Sequence, residues 1–246
     1  KDLHNVAMPV YQLIPEISLF PPIEEAEDDG LLAVGGDLTK ERLLGAYRRG
    51  IFPWYEVGQP ILWWSPDPRL VLFPDELKIS RSLRKVLRKE QFEIRFDTAF
   101  QEVIKSCADI RTKQGEGTWI IPEMQQAYTE LHQEGFAHSV ESWLDGKLVG
   151  GLYGISMGQC FFGESMFSTM NDSSKVALVA LADFSQRVGI KLIDCQMTTP
   201  HLLSLGAREI KRAVFLKLLK KHLETPSIMG LWNNGPVSMK VNLLQN

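Results

Sequence analysis

Hydrophobic and polar residues follow one another along the chain in patterns that predict short strands and amphipathic helices. Three runs with strand-like composition occupy 137–143, 148–155 and 159–167. Asp145-Gly146 and Met157-Gly158 lie between them and supply turn residues, so the three runs predict an antiparallel meander. Further strands are predicted at 31–34, 92–96 and 191–195, and helices at 37–50, 79–90, 98–108, 122–134, 173–188 and 210–223.

This order of elements predicts an α+β fold, with helices packed on a mixed sheet. Prolines recur between residues 51 and 69 at a density that excludes a long helix and favours extended or turn segments. We therefore predict a domain boundary within 65–68, which separates a small N-terminal α/β domain (1–67) from a larger domain (68–246).

Composition narrows the class of protein. Of the 246 residues, 44% are hydrophobic and 23% are charged, as is usual for a soluble globular protein, and no apolar run approaches the roughly 18 residues that span a bilayer. Three cysteines without C-x-x-C spacing and five histidines without ligand spacing argue against disulfides and structural zinc. We expect a cytoplasmic protein that needs no metal or cofactor. Because the net charge is −3, any contact with nucleic acid must come from a local basic patch.

One such patch lies on the helix predicted at 79–90. Arg81, Arg84, Lys85 and Arg88 follow the spacing i, i+3, i+4 and i+7, and Lys89 extends the same face. Such a face can neutralise the phosphates of a nucleic acid, and it can equally be a solvated helix surface.

Aromatic residues cluster unusually, with three tryptophans between positions 54 and 64. Aromatic rings can line an apolar slot that accepts Leu, Phe or Met and rejects charged side chains. The candidates for its wall are Trp54, Tyr55, Trp63, Trp64, Trp119 and Tyr128. They can also be ordinary core residues.

Two predicted strands carry polar residues among apolar ones. Asp194 and Gln196 should share one face of their strand, with Cys195 on the opposite face. The shared face would present a carboxylate beside an amide. Glu164 and Met166 share a face in the same way, and an acidic residue in an apolar strand indicates a cationic partner or a structural ion pair.

Several segments together resemble the bacterial leucyl/phenylalanyl-tRNA–protein transferase family. They run in the family's order over roughly residues 15–210. The matching segments are GLLAVGGDL (30–38), RGIFPW (49–54), ILWWSPDPR (61–69), EGTWI (116–120), HSVE (138–141), GESMFS (163–168), LIDCQ (192–196) and SLGA (204–207).

The resemblance implies an enzyme of the N-degron pathway that transfers Leu or Phe, and less readily Met, from aminoacyl-tRNA to proteins beginning with Arg or Lys. It also implies a C-terminal domain similar to the N-acetyltransferase (GNAT) superfamily, and we expect a monomer. It assigns catalysis to Asp194 and Gln196, the aminoacyl pocket to Trp54, Trp119, Tyr128, Glu164 and Met166, and tRNA binding to Arg81, Arg84, Lys85, Arg88 and Lys89. Thr199 stands where some members carry an Asn, so that position's role carries over only in part.

The expected mechanism is direct attack of the acceptor amine on the ester, without an acyl-enzyme. Positioning should dominate, because holding two reactants in register can supply about 7–11 kcal/mol. Asp194 would hold the amine and Gln196 would orient Asp194 or the ester, whereas either Glu164 or Asp194 could favour the cationic acceptor side chain. Three alternatives stay open: an acetyl-CoA-dependent N-acetyltransferase, a non-catalytic tRNA- or peptide-binding module, and a hydrolase using Cys195 and His201.

Overall fold

A computed structural model of the chain describes residues 10–113 and 120–233, without the side chains of 111–113. The elements within these residues are, in order, β1 (Tyr11–Leu13), β2 (Leu31–Gly35), α1 (Lys40–Arg48), β3 (Phe52–Pro53), β4 (Leu62–Trp64), β5 (Arg69–Leu72), α2 (Arg81–Arg88), β6 (Glu93–Phe96), α3 (Phe100–Lys113), α4 (Pro122–Gln133), β7 (Ala137–Leu144), β8 (Lys147–Met157), β9 (Cys160–Ser168), α5 (Ser173–Val188), β10 (Leu192–Gln196), α6 (Pro200–Ser204), β11 (Arg208–Ile210) and α7 (Arg212–Leu223).

The larger sheet contains seven strands in the order β11-β5-β10-β9-β8-β7-β6. Strands β7, β8 and β9 pair antiparallel in sequence, which confirms the predicted meander. Strand β10 pairs parallel to β9 and antiparallel to β5, so the sheet is mixed. The prediction of helices packed on a mixed sheet is therefore confirmed.

Both faces of the larger sheet are covered. Successive residues of a strand point to opposite faces, and Phe161 and Phe162 accordingly belong to two different clusters of buried apolar side chains. One cluster contains side chains of α3 and α4, and the other contains those of α2 and α5. Helix α5 ends where Gly189 adopts the left-handed conformation, with φ 89°.

The smaller sheet has the strand order β1-β2-β4-β3 and lies wholly within residues 11–64. Its core is continuous with that of the larger sheet, because Trp63 and Tyr47 belong to the same cluster of buried side chains as Phe162 and Tyr128. The predicted boundary between residues 67 and 68 falls between the two sheets and stays a prediction. No helix among the described residues combines the length and the apolar character needed to cross a membrane.

Candidate active site

A cavity of about 550 Å³ opens where strands β9 and β10 separate. The parallel pairing of these strands ends at Asp194 and Phe162, although both strands continue beyond that point. Side chains of β9, β10, α5 and α6 form most of the wall, and the segment 52–54 closes one side. The lining residues are Phe52, Pro53, Trp54, Leu152, Tyr153, Phe161, Gly163, Glu164, Ser165, Met166, Leu178, Leu181, Ile193, Cys195, Gln196, Met197, Thr198, Thr199, His201 and Leu202.

Strand β10 does not keep its alternation at its end. The pairing with β5 shifts between Asp194 and Gln196, and Gln196 adopts a left-handed conformation with φ 62°. As a result, Cys195 and Gln196 both line the cavity, whereas Asp194 does not. The expectation that Asp194 and Gln196 share the cavity face, with Cys195 behind them, is therefore wrong. The physical reason is the irregularity in β10, which turns the last residue out of the strand's alternation.

Asp194 is held in a buried ion pair with Arg69 of β5. The Nε atom of Arg69 donates to Oδ1 at 2.8 Å and its Nη2 donates to Oδ2 at 2.6 Å, and both side chains are 1% exposed. Oδ1 also accepts the backbone N–H of Gln196 at 2.9 Å. Both carboxylate oxygens of Asp194 are therefore engaged with Arg69 and with the backbone at the end of β10.

Glu164 of β9 is the buried carboxyl group on the cavity wall. Tyr47 and Gln196 donate to its Oε1 at 2.7 and 2.8 Å, and Tyr128 donates to Oε2 at 3.0 Å. The hydroxyl oxygens of Tyr47 and Tyr128 also lie within hydrogen-bonding distance of each other. Because each phenol has a single proton, all three contacts form together only when the Glu164 carboxyl is protonated and donates one of them. The side-chain Nε2 of Gln196 is thus the donor to Glu164.

Burial raises the pKa of Glu164 from 4.5 to about 7, against the opposing effect of the hydrogen bonds from Tyr47, Tyr128 and Gln196. A carboxyl group with such a pKa is partly ionised near neutral pH. It can accept a proton at that pH and release it again, as general acid–base catalysis requires.

Burial also raises the pKa of Cys195 far above its ordinary value, with a further contribution from the charge of Asp194. A thiol with a raised pKa is a poor nucleophile, since the thiolate is the reactive form. His201 lines the same cavity, and burial lowers its pKa. Within the described residues no hydrogen bond joins Cys195 to His201. The Sγ atom lies 3.9 Å from the carbonyl oxygen of Ile193.

The residues expected to line the aminoacyl pocket do not all lie in the cavity wall. Trp54 lines the cavity, is 39% exposed and packs against Trp64 with ring centroids 5.9 Å apart. Met166 also lines the cavity, whereas Tyr128 is fully buried beneath Glu164. Trp119 lies outside the described residues.

The basic residues of α2 are on its exposed side. Ser80 caps the helix through a hydrogen bond from the N–H of Leu83 at 3.1 Å, and the Leu83 side chain is buried. Arg81, Lys85, Arg88 and Lys89 are exposed and Arg84 is half-buried. None of these basic residues lines the cavity.

Sequence reasoning missed two residues of this site. Arg69 begins the otherwise apolar strand β5, and a basic residue at the start of a buried strand was the available signal for a buried ion pair. Tyr47 lies among the buried apolar residues of α1, and nothing in its spacing distinguishes it from a core residue.

Solved structures give only a weak likeness. An aminoglycoside acetyltransferase from a soil metagenome is 14% identical, with 47% of this chain and 84% of that chain covered and a TM-score of 0.38. L-PGS from Bacillus licheniformis is 9% identical, with coverage of 68% and 53% and a TM-score of 0.39. Scores of this size do not establish a common fold, and the GNAT-like architecture stays a prediction.

Sequence comparisons are decisive. A family model for the leucyl/phenylalanyl-tRNA protein transferase matches residues 71–220, and the model for that family's N-terminal domain matches 36–67. Leucyl/phenylalanyl-tRNA–protein transferases from Syntrophobacter fumaroxidans and Aromatoleum aromaticum are 62% and 66% identical, each over 216 residues. These alignments cover 88% and 87% of this chain, and 92% and 91% of the relatives. The chain belongs to the leucyl/phenylalanyl-tRNA–protein transferase family and is a transferase.

Proposed function

We propose that the protein transfers Leu or Phe, and less readily Met, from aminoacyl-tRNA to the N-terminal Arg or Lys of an acceptor protein. The product would be marked for degradation by an N-degron pathway, and the enzyme would act in the cytoplasm as a monomer. The observation that carries the proposal is the juxtaposition, in one cavity, of a largely apolar wall with the hydrogen-bonded pair of Glu164 and Gln196.

The cavity suits an aminoacyl group. Its volume of about 550 Å³ lies within the roughly 300–1,000 Å³ typical of small-ligand sites. Trp54, Met166, Leu178 and Ile193 are among its apolar wall residues. An apolar wall favours Leu, Phe and Met over charged side chains, but it separates these three only weakly, because one methylene is worth about 1–3 kcal/mol.

We assign the proton-accepting role to Glu164. The α-amine of the acceptor attacks the ester carbonyl carbon of the aminoacyl-tRNA, which forms the C–N bond. The ester C–O bond to the terminal ribose then breaks. The amine proton passes to the carboxylate of Glu164 and from there to the leaving ribose oxygen. The negative charge of the Glu164 carboxylate would also attract the cationic side chain of the acceptor's first residue.

Asp194 and Arg69 act as positioning residues in this scheme. Their ion pair fixes the end of β10, and Oδ1 of Asp194 holds the backbone N–H of Gln196. Gln196 in turn donates to Glu164, which leaves its side-chain oxygen available to the incoming amine. Because the amine of an N-terminal residue has an ordinary pKa of about 7.7–8.0, it needs little activation, and positioning is the larger contribution.

The exposed basic face of α2 is proposed to bind the tRNA. Its contacts with phosphates are expected to dominate affinity and to weaken as salt increases. No basic residue of α2 lines the cavity, so this face would bind the tRNA outside it.

The proposal is tested with labelled Leu-tRNA and two acceptor proteins that differ only in their first residue, Arg or Met. Label should appear on the Arg protein alone. Glu164→Gln is expected to lower turnover by about 10²–10⁴-fold while leaving the Kd for aminoacyl-tRNA unchanged. Glu102→Gln, at an exposed position of α3, is the matched control and should retain full activity. Equal labelling of both acceptors would refute the proposal.

A further inference from the structure

A second cavity, of about 710 Å³, lies between the beginning of α1, the segment 55–59 and the first turns of α4. Most of its wall is apolar or uncharged, and the charged residues in it are the glutamates at 123 and 130. The described residues that line it include no Lys, Arg or His: Leu38, Thr39, Tyr55, Val57, Gly58, Gln59, Ile61, Ile121, Pro122, Glu123, Gln126, Ala127 and Glu130.

Tyr55 is the second observation that points to a ligand. Its side chain lines this cavity and is only 6% exposed, yet its hydroxyl group has no hydrogen-bond partner among the described residues. The hydroxyl oxygen itself is not fully buried, so a ligand in the cavity can reach it. Burial, reinforced by the charge of Glu123, raises the pKa of Tyr55 to about 12, so the phenol stays neutral and can accept a hydrogen bond from a cation.

The two carboxylates lack cationic partners in the described part of the chain. Glu130 accepts a hydrogen bond from Nε2 of Gln126 at 3.1 Å, and Glu123 takes part in no ion pair there. Glu134, one helical turn further along, is by contrast paired with Lys40. An apolar wall with two carboxylates and a phenol matches a side chain that has a long apolar stem and a cationic head.

The two cavities are lined by consecutive stretches of one segment. Residues 52–54 line the first cavity, and Tyr55 and residues 57–59 line the second. Since consecutive Cα atoms are about 3.8 Å apart, Val57 lies within about 12 Å of Trp54. An extended polypeptide covers such a distance in three or four residues.

We propose that the second cavity binds a Lys or Arg side chain located at about the third to fifth residue of the acceptor polypeptide. This inference rests on the proposed function, because it takes the acceptor's first residue to lie in the first cavity. The acceptor chain would leave that cavity past Trp54 and cross the segment that separates the two. The site would add a preference for basic residues downstream of the N-terminus.

The test uses fluorescent peptides that begin with Arg and differ only in having Lys or Ala at position 3, 4 or 5. Transfer kinetics give kcat and KM for each peptide, and fluorescence anisotropy gives its Kd. The peptide with Lys at the favoured position should show a KM and a Kd about fivefold lower than its Ala partner, as expected for one ion pair near the surface, with kcat unchanged.

Glu123→Gln with Glu130→Gln should abolish this difference, and Tyr55→Phe, which removes only the hydroxyl group, should reduce it. Glu102→Gln again serves as the control and should preserve it. Equal Kd values for the Lys and Ala peptides, or a Lys preference that survives the double substitution, would overturn the second site while transfer continues. Loss of transfer to every peptide beginning with Arg would instead refute the proposed function.

Discussion

The buried pair of Arg69 and Asp194 allows the sharpest quantitative prediction. Two hydrogen bonds of 2.8 and 2.6 Å join the side chains, and Nη1 of Arg69 also donates to the carbonyl oxygen of Gly50 at 3.1 Å. The guanidinium lies between the rings of Phe52 and Phe215, 4.8 and 4.6 Å from their centroids. Replacing Arg69 with Met keeps an unbranched apolar stem but leaves the carboxylate of Asp194 buried without its cation.

Removing one member of such a pair costs about 3–5 kcal/mol in the free energy of unfolding, because an uncompensated charge stays in the interior. Domains are stable by only about 5–15 kcal/mol, so Arg69→Met is expected to be severely destabilised. Asp194→Asn likewise leaves the guanidinium of Arg69 buried without its anion. The double variant removes both charges and retains an oxygen near the N–H of Gln196, so it should lose less than the sum of the single losses.

Urea unfolding followed by circular dichroism measures these free energies, and a double-mutant cycle gives the coupling. We expect a coupling of at least about 2 kcal/mol. The exposed pair of Arg95 and Glu93, which has a similar two-bond geometry, is the matched control, and its cycle should show little coupling. Should either single variant fold too poorly to measure, Arg69→Lys retains the charge but loses the planar fork and should show an intermediate loss.

Additive losses in the buried cycle, or a loss for Arg69→Met no larger than that for Arg95→Met, would refute the argument. The same variants also test the positioning role. Arg69→Lys should lower kcat with little change in the Kd for aminoacyl-tRNA, because the pair fixes the strand end that carries Gln196. An Arg69→Lys enzyme with normal kcat would show that the ion pair serves stability alone.

Three further predictions concern single features. Because burial raises the pKa of Glu164 from 4.5 to about 7, its contribution to the free energy of unfolding is complete below pH 4.5 and is lost as pH rises towards 7. Glu164→Gln should remove this pH dependence of the free energy of unfolding measured with urea, which is at most about 1.4 kcal/mol per pH unit. An unchanged slope of that free energy against pH would contradict the assignment. Cys195→Ala should retain most transfer activity, and a trapped thioester would contradict direct attack on the ester. Charge reversal at Lys85 and Arg88 should weaken tRNA binding and reduce its dependence on salt in a titration, so an unchanged salt slope would remove α2 from the interface.

The sequence predicted those parts of the fold that depend on local patterns. The three long strands of the meander and helix α5 agree with their predicted bounds to within a few residues, because their periodicity and turn residues act over short distances. Strands β1 and β11 were not predicted. Each has three residues, and its extended conformation is determined by pairing with a partner strand rather than by its own composition.

The candidate site was predicted less completely, for two physical reasons. Alternation fails at the end of β10 because Gln196 takes a left-handed conformation, which costs a non-glycine residue about 1–3 kcal/mol and is supported here by the hydrogen bond to Asp194. The partners of the two acidic residues lie far away in the chain. Arg69 is separated from Asp194 by 125 positions and Tyr47 from Glu164 by 117, and no local pattern encodes such pairings.

Those long-range contacts join residues before position 67 to the larger sheet at the candidate site. Tyr47 belongs to the N-terminal helix α1, yet its hydroxyl donates to Glu164 on the larger sheet, and the carbonyl of Gly50 accepts from Arg69. The same N-terminal stretch continues into residues 52–54, which close the first cavity. The pKa of Glu164 reflects both its burial and the donors around it, so residues before position 67 help determine the protonation of the proposed base. A boundary at 67/68 would therefore separate two sheets but would pass through a single site.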